Sequence, residues 1–131
     1  MLAFGPARKG TGDSPEMREF AEIWARADKV VHSRTLEAVT TRDTRLEREL
    51  DVTALRRMKD ESTGDLAIGG PTLAGLALHA GVVDECQLFV CPVVVGGGIA
   101  VWPDDLRVGL DLVEERRFDS GVVLLRHRVV N

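Results

Sequence analysis

The sequence predicts an α/β fold, a mostly parallel sheet flanked by helices and closed by a C-terminal antiparallel hairpin. Apolar residues recur at helical spacing in three segments, and short apolar runs separate them. The run QLFVCPVVV, residues 87–95, is too continuously apolar for a half-solvated strand and is typical of one covered on both faces. Near the C-terminus, Asp119-Ser120-Gly121 lies between the strand-like segments Leu110–Phe118 and Gly121–Val130, which predicts the hairpin.

The first third of the chain is predicted to contain a loop, a helix and two strands. Residues 2–13 are rich in Gly and Pro and lack periodicity, which indicates a loop. Ser14-Pro15 supplies an N-cap and a proline at the first helical position, and the helix should end near Asp28. KVVHS, Lys29–Ser33, is predicted to be a short buried strand. Thr41–Arg48 alternates in charge and can form an exposed edge strand at best.

Two further helices follow, with a strand between them. The spacing of apolar residues predicts a short helix over Asp51–Lys59, and Ser62-Thr63-Gly64 should break the chain after it. DLAI, residues 65–68, is predicted to be a buried strand. The next helix begins at Pro71, carries apolar residues at i, i+3, i+4 and i+7, and is closed by Gly81. Gly96-Gly97-Gly98 should end the long apolar run.

Composition limits the classes of function. A chain of 131 residues, 44% hydrophobic and 29% charged, predicts one soluble domain. A net charge of -4 disfavours a nucleic-acid partner, because such binding requires a basic surface. No apolar run reaches the ~20 residues of a membrane span, and MLAFGPARKG lacks the apolar run of a secretory signal, so we expect a cytoplasmic protein.

The cysteines and histidines do not predict a metal or redox site. Cys86 and Cys91 are five residues apart, so in one strand their side chains point to opposite faces, and we expect inert core thiols. The three histidines are scattered, with no cysteine or carboxylate at metal-ligand spacing. We therefore expect no metal.

The segment DLAIGGPTL raises the question of what requires two adjacent glycines before a helix. A strand, a Gly-Gly turn and a helix start together form a junction that can bind anions, because the first N–H groups of a helix have no intrahelical partner. Gly69 and Gly70 would let a phosphate approach the backbone without meeting a Cβ. The alternative is a tight turn packed closely on the sheet, and the motif alone fits both. No lysine follows the glycines, so this is not a Walker loop.

A long stretch of the sequence, which contains these glycines, resembles a known family. IGGPTLAGLALHAGVVDECQLFVCPVVVGGG resembles the second half of the dihydrofolate reductase-like fold, specifically the C-terminal reductase domain of bifunctional riboflavin biosynthesis proteins. KVVHSRTLE looks like that family's strand ending in Ser-Arg, and RRFDSGVVLLRHRV looks like its closing hairpin. The resemblance runs from about Glu19 to the end of the chain and implies a single domain over residues 1–131 that lacks the family's first strand.

The resemblance implies an NADPH-dependent reductase of a pyrimidine- or pterin-like small molecule. Gly69, Gly70, Pro71 and Thr72 would take the cofactor's pyrophosphate and flank the nicotinamide. Ser33 and Arg34 would lie at the adenosine end, where a hydroxyl and a guanidinium suit a 2′-phosphate; taken alone, Arg34 is an ordinary surface arginine. Gly96 and Gly97, with Gly98, would shape a loop beside the cleft, or form no more than a flexible turn.

The expected chemistry is hydride transfer from the nicotinamide to a carbonyl or imine carbon, which requires no side-chain nucleophile. Two departures from the family pattern bear on this expectation. Ile68 stands where the riboflavin branch commonly has an acidic residue that holds the pyrimidine, and the family's Ser-x-Asp-Gly and Gly-Arg-x-Thr segments are absent. The alternative is a non-catalytic remnant that acts as an oligomeric binding protein. Because the absent first strand is central in the family, the strands must either close up in a new order or pair with those of a second copy, and we expect the second, a homodimer whose interface includes sheet edges.

Overall fold

The structure, a computed structural model, describes residues 14–130. The chain divides into two units, of which unit 1 ends at Leu50 and unit 2 begins at Asp51. Helices and strands are present in both units, so the predicted α/β class is confirmed. The loop predicted for residues 2–13 lies outside the described residues.

Unit 1 begins with helix α1, Pro15–Arg26. As predicted, Ser14 is the N-cap, and its Oγ accepts a hydrogen bond from the Met17 N–H at 3.3 Å. The same hydroxyl lowers the pKa of the Glu16 carboxyl. The helix ends two residues before the predicted Asp28, because Ala27 adopts an extended backbone. Its apolar stripe stays exposed, with Phe20 and Trp24 stacked on each other at a centroid distance of 6.3 Å.

The sheet of unit 1 is a parallel pair. Strand β1, Lys29–His32, pairs with β2, Thr44–Glu47, in the register Lys29 to Thr44. Both predicted strands are therefore present, although β1 is half-buried and not buried as expected, since β2 is its only partner among the described residues. Arg48 fastens the segment after β1 by donating to the carbonyls of Ser33 and Leu36.

Unit 2 contains two helices. In α2, Val52–Glu61, Asp51 is the N-cap and accepts from the Thr53 N–H at 2.9 Å. Helix α3, Pro71–His79, begins at the predicted proline. Gly81 follows it with φ 63°, the left-handed conformation that closes many helices. These two predicted helices are confirmed, as is the break after α2.

The sheet of unit 2 has three antiparallel strands in the order β3-β5-β4. Strands β4, Gly109–Arg117, and β5, Val123–Val130, form the predicted hairpin. Strand β3, Glu85–Val90, pairs with the other side of β5. On one face Arg126 of β5 lies between carboxylates of both neighbours, 3.8 Å from Glu85 and 3.4 Å from Glu114.

Three expectations about the sheet are wrong. In place of the expected mostly parallel sheet, the described strands form two sheets, a parallel pair and an antiparallel sheet of three strands. DLAI, residues 65–68, forms no strand, because no described strand lies beside it to accept its hydrogen bonds. The run over residues 87–95 leaves the sheet at Val90, well before the glycines expected to end it. Pro92 has no N–H to donate, and the Val93 N–H turns back to the Cys91 carbonyl at 2.8 Å.

The buried apolar core of the described residues is small. It consists of Ala77, Leu78 and Val82, at the end of α3 and the turn after it. Gly75 of α3 lies close to Pro103 at this place. A Cβ at this glycine would lie 3.2 Å from the proline ring, so a larger residue would be crowded. Residues 91–100 are all exposed, which includes residues 91–95 of the run 87–95 that the sequence predicts to be covered on both faces.

Candidate cofactor-binding site

The two glycines stand at the start of α3 with open space around them. Gly70 is the N-cap, with φ 89° and ψ 128°, and no side chain caps the helix. This backbone conformation requires glycine. A Cβ built on Gly69 or Gly70 meets no described atom within 4 Å. The described residues therefore show no close packing at these glycines.

The first turn of α3 offers N–H groups toward that space. The first backbone hydrogen bond of the helix runs from the Ala74 N–H to the Gly70 carbonyl at 2.9 Å. The N–H groups of Thr72 and Leu73 precede it and have no backbone partner within the helix. Pro71 has no N–H, and Thr72 is exposed beside the glycines. Such a helix start attracts an anion through these donors and the helix dipole.

Ser33 and Arg34 lie in unit 1, directly after β1. The Ser33 N–H extends the ladder to the Glu47 carbonyl at 2.9 Å, while its Oγ accepts from the Leu36 N–H at 3.0 Å. The Arg34 guanidinium contacts the Glu49 carboxylate at 2.9 Å, with 77% of the arginine side chain exposed. Exposed pairs of this kind contribute at most ~1 kcal/mol, so a phosphate can displace the carboxylate.

Gly96 and Gly97 lie in unit 2, in the exposed segment after β3. Gly96 and Gly98 have φ 72° and 131°, whereas Gly97 has an ordinary backbone. None of the three would bring a Cβ within 4 Å of a described atom. The segment is a loop, and the backbone conformation at Gly96 and at Gly98 requires glycine. The structure thus places six of the eight predicted site residues in unit 2 and two in unit 1.

Sequence reasoning missed a basic clamp between α2 and the end of α3. Arg56 donates to the Ala80 carbonyl at 3.0 Å, and Lys59 donates to the Val82 carbonyl at 2.8 Å and to Asp84 at 2.7 Å. A shallow cavity of about 210 Å³ lies beside them. The clamp thus supplies donors to the carbonyl of Ala80, the C-cap of α3, and to that of Val82 in the turn after it. The sequence feature that points to this clamp is a pair of basic residues, Arg56 and Lys59, three positions apart on the predicted helix.

The cysteines differ from each other in their surroundings. Burial raises the pKa of the half-buried Cys86, which lies opposite His127 in the sheet. Cys91 is exposed, so the expectation of a core thiol is wrong there; the chain has left the sheet at this point. Both are free thiols.

Among residues 14–130 no group of three potential ligands could hold a metal ion. No helix in the same range is both long and apolar enough to cross a membrane.

One family model and one curated protein match the sequence. The model of the RibD C-terminal domain matches residues 11–124 of the chain. The uncharacterized protein YyaP of Bacillus subtilis (strain 168) is 31% identical over 114 residues, which cover 78% of this chain and 56% of YyaP. The chain thus spans about half the length of this curated relative.

Two solved structures have a similar fold. A protein of Shewanella sp. PV-4 named for riboflavin biosynthesis gives a TM-score of 0.67 at 13% identity, covering 96% of this chain and 84% of that one. A pyrimidine reductase-like protein of Corynebacterium diphtheriae gives 0.55 at 19% identity, covering 67% and 38%. At these identities the likeness shows the fold alone, and the expected dihydrofolate reductase-like fold class is confirmed.

Proposed function

The chain belongs to the RibD C-terminal domain family, and on this premise we propose that it is a cytoplasmic, NADPH-dependent reductase of a pyrimidine- or pterin-like small molecule. The family and the pyrimidine reductase-like neighbour support an oxidoreductase. The pyrimidine-like substrate is proposed from this neighbour, and the pterin-like substrate from the sequence resemblance to the dihydrofolate reductase-like fold. The cofactor is proposed from the residues at the start of α3 and from Arg34.

The observation that carries the proposal is the open start of α3. Gly70 has a backbone conformation that requires glycine, and no described atom lies within 4 Å of a Cβ at Gly69 or Gly70. A pyrophosphate can therefore reach the N–H groups of the first turn, with Thr72 beside it as a hydroxyl donor. The residues present fit the negatively charged part of a dinucleotide.

The preference for NADPH over NADH is assigned to Arg34, with Ser33 beside it. The guanidinium is exposed and held by one carboxylate, that of Glu49. Because a phosphate accepts two parallel N–H bonds from guanidinium, a 2′-phosphate would compete well with Glu49. NADH has no group for this arginine.

Bound NADPH would supply the hydride for reduction of a carbonyl or imine carbon, and the matching proton would come from solvent. The chain's own residues would bind the cofactor and the substrate and orient them toward each other. Gly69 and Gly70 hold the backbone donors at the pyrophosphate, and Gly96 and Gly97 bound the space beside the ring. Ile68 has no polar side-chain group, so the substrate's polar edge must be held by other groups. Correct placement of the two reactants is the main contribution such a site makes to the rate.

The small core favours a second candidate, a non-catalytic oligomeric binding protein. Calorimetric titration with NADPH and NADH, followed by NADPH oxidation with aminopyrimidine and pterin substrates, separates the two. Tighter binding of NADPH together with oxidation supports the reductase. Binding without oxidation by any substrate favours the second candidate, and no binding at millimolar cofactor overturns the reductase proposal.

A further inference from the structure

The Arg34 guanidinium is paired with a carboxylate that comes from the neighbouring strand of unit 1. Arg34 follows β1 and Glu49 follows β2, and the Arg34 Nη2 lies 2.9 Å from a carboxylate oxygen of Glu49. The two strands are parallel, with His32 opposite Glu47. Their carboxyl ends therefore meet at one edge of the pair, and the register of the strands brings the two side chains together.

The backbone on either side of residue 48 is fixed to β1. The Glu49 carbonyl lies 3.1 Å from the His32 Nδ1, which can donate a hydrogen bond to it. Two residues earlier, the Glu47 carbonyl accepts from the Ser33 N–H at 2.9 Å. These bonds continue the pairing of the two strands past their ends. The Glu49 carboxylate is consequently kept within reach of Arg34.

The backbone at Arg34 is held by other groups. Arg48 donates to the carbonyls of Ser33 and Leu36, and the Ser33 Oγ accepts from the Leu36 N–H at 3.0 Å. These three bonds do not use the Glu49 carboxylate. Loss of that carboxylate should therefore leave the backbone of residues 33–36 in place and release only the guanidinium.

A carboxylate and a phosphate compete for the same guanidinium. Both accept N–H bonds from it, so Glu49 occupies the donor that the proposed function gives to the 2′-phosphate. A phosphate that replaces Glu49 on Arg34 must break this ion pair and then lies near a displaced negative charge. Like charges a few ångströms apart repel each other, and salt weakens that repulsion. Both effects weaken the binding of a 2′-phosphate, and neither acts on a cofactor that lacks one.

We propose that Glu49 is a specificity-determining residue, an internal competitor for Arg34 that limits the preference for NADPH over NADH. The proposal rests on the proposed function, which assigns Arg34 to the 2′-phosphate. The two side chains act with opposite sign, since Arg34 strengthens the binding of a 2′-phosphate and Glu49 weakens it. The chain therefore discriminates between the two cofactors less strongly than its arginine alone would allow.

Calorimetric titration of the wild-type and Glu49→Gln chains tests this role. Glutamine keeps the size of the side chain and removes its charge. NADPH and adenosine 2′-monophosphate should bind at least about threefold more tightly to Glu49→Gln, because the competing charge is gone. NADH and adenosine 5′-monophosphate should bind the two chains equally. The gain should shrink at high salt, which screens charges, and a purely structural effect would not behave in this way.

Two further variants serve as controls. Glu47 of β2 is matched to Glu49, because its carboxylate contacts Arg45 at the same distance of 2.9 Å. Glu47→Gln should leave the affinity for adenosine 2′-monophosphate unchanged. Glu49→Gln combined with Arg34→Ala should show no gain over Arg34→Ala alone, because the competition requires the guanidinium. Thermal unfolding of each variant checks that the fold is retained.

The use of adenosine 2′-monophosphate separates this proposal from the reductase proposal. Unchanged or weaker binding of this nucleotide by Glu49→Gln overturns the role of Glu49, as does an equal gain in Glu47→Gln or a gain that persists without Arg34. Oxidation of NADPH without any gain overturns the role of Glu49 alone. A gain without oxidation supports that role and counts against the reductase. If neither chain binds either 2′-phosphorylated nucleotide at millimolar concentration, both proposals are overturned.

Discussion

Lys59 donates a hydrogen bond over 2.8 Å to the backbone carbonyl of Val82, although 23 residues separate them. This bond fastens α2 to the turn after α3, next to the buried Ala77, Leu78 and Val82. Lys59→Met keeps the aliphatic stem and removes the donor. We expect it to lower the free energy of unfolding by ~1 to 3 kcal/mol, because a part-buried carbonyl loses its partner. Chemical denaturation measures this. The exposed Arg57→Met on the same helix is the control and should change stability by less than ~0.5 kcal/mol.

The open space at Gly69 makes it a better test of cofactor binding than Gly70. Gly69→Val adds a side chain whose Cβ has no described atom within 4 Å, and Gly69 has no left-handed backbone, so the fold should be retained. NADPH affinity should fall at least tenfold, because the added atoms block the approach of phosphate. Gly64→Val is matched, since that glycine is also open and has an ordinary backbone. If both variants bind NADPH as the wild type does, Gly69 has no part in the site.

Gly70→Val should instead reduce stability. A φ of 89° is a conformation that side chains other than glycine rarely adopt, and forcing one into it costs ~1 to 3 kcal/mol. Thermal unfolding of Gly70→Val beside Gly69→Val measures the difference. An unchanged melting temperature for Gly70→Val would contradict this reason for the glycine.

Arg34→Ala should remove the preference for NADPH. A charge-assisted contact to the 2′-phosphate contributes about 1.5 to 3 kcal/mol, so the ratio of NADH to NADPH dissociation constants should fall by at least tenfold. NADH affinity itself should not change. Arg45→Ala is the control, because Arg45 likewise contacts a carboxylate, Glu47, at 2.9 Å. A ratio unchanged by Arg34→Ala would leave Arg34 as an ordinary surface arginine.

The two thiols should react at different rates. Cys91 is exposed, whereas burial raises the pKa of Cys86 and lowers its thiolate fraction at neutral pH. A thiol reagent should therefore modify Cys91 first, as peptide mass spectrometry after timed quenching would show. Because the Cys86 pKa is higher in the folded than in the unfolded chain, its contribution to stability is complete below the ordinary thiol pKa. That contribution is lost as pH rises through the folded pKa. Cys86→Ala should remove this alkaline loss, and equal labelling of both thiols would contradict the difference.

Helix boundaries and the hairpin could be predicted because their signals are local. Ser14, Asp51 and Pro71 act at helix starts through groups within three residues, and Gly81 closes α3 through its own backbone. The Gly-Gly pair was recognised in the same way, since the requirement at Gly70 is a property of one residue. The Lys59 clamp was missed because its partners lie more than 20 residues away.

The sequence by itself determined which segments are helices, where β1, β4 and β5 lie, and the family to which the chain belongs. Only the tertiary structure decided how the strands pair. DLAI and residues 91–95 have strand-like composition, yet a strand requires a neighbour for its N–H and C=O groups. No described strand lies beside DLAI, and Pro92 ends the ladder of β3. Composition records the tendency of a segment to be buried in a sheet, whereas the presence of a partner strand decides whether that tendency is satisfied.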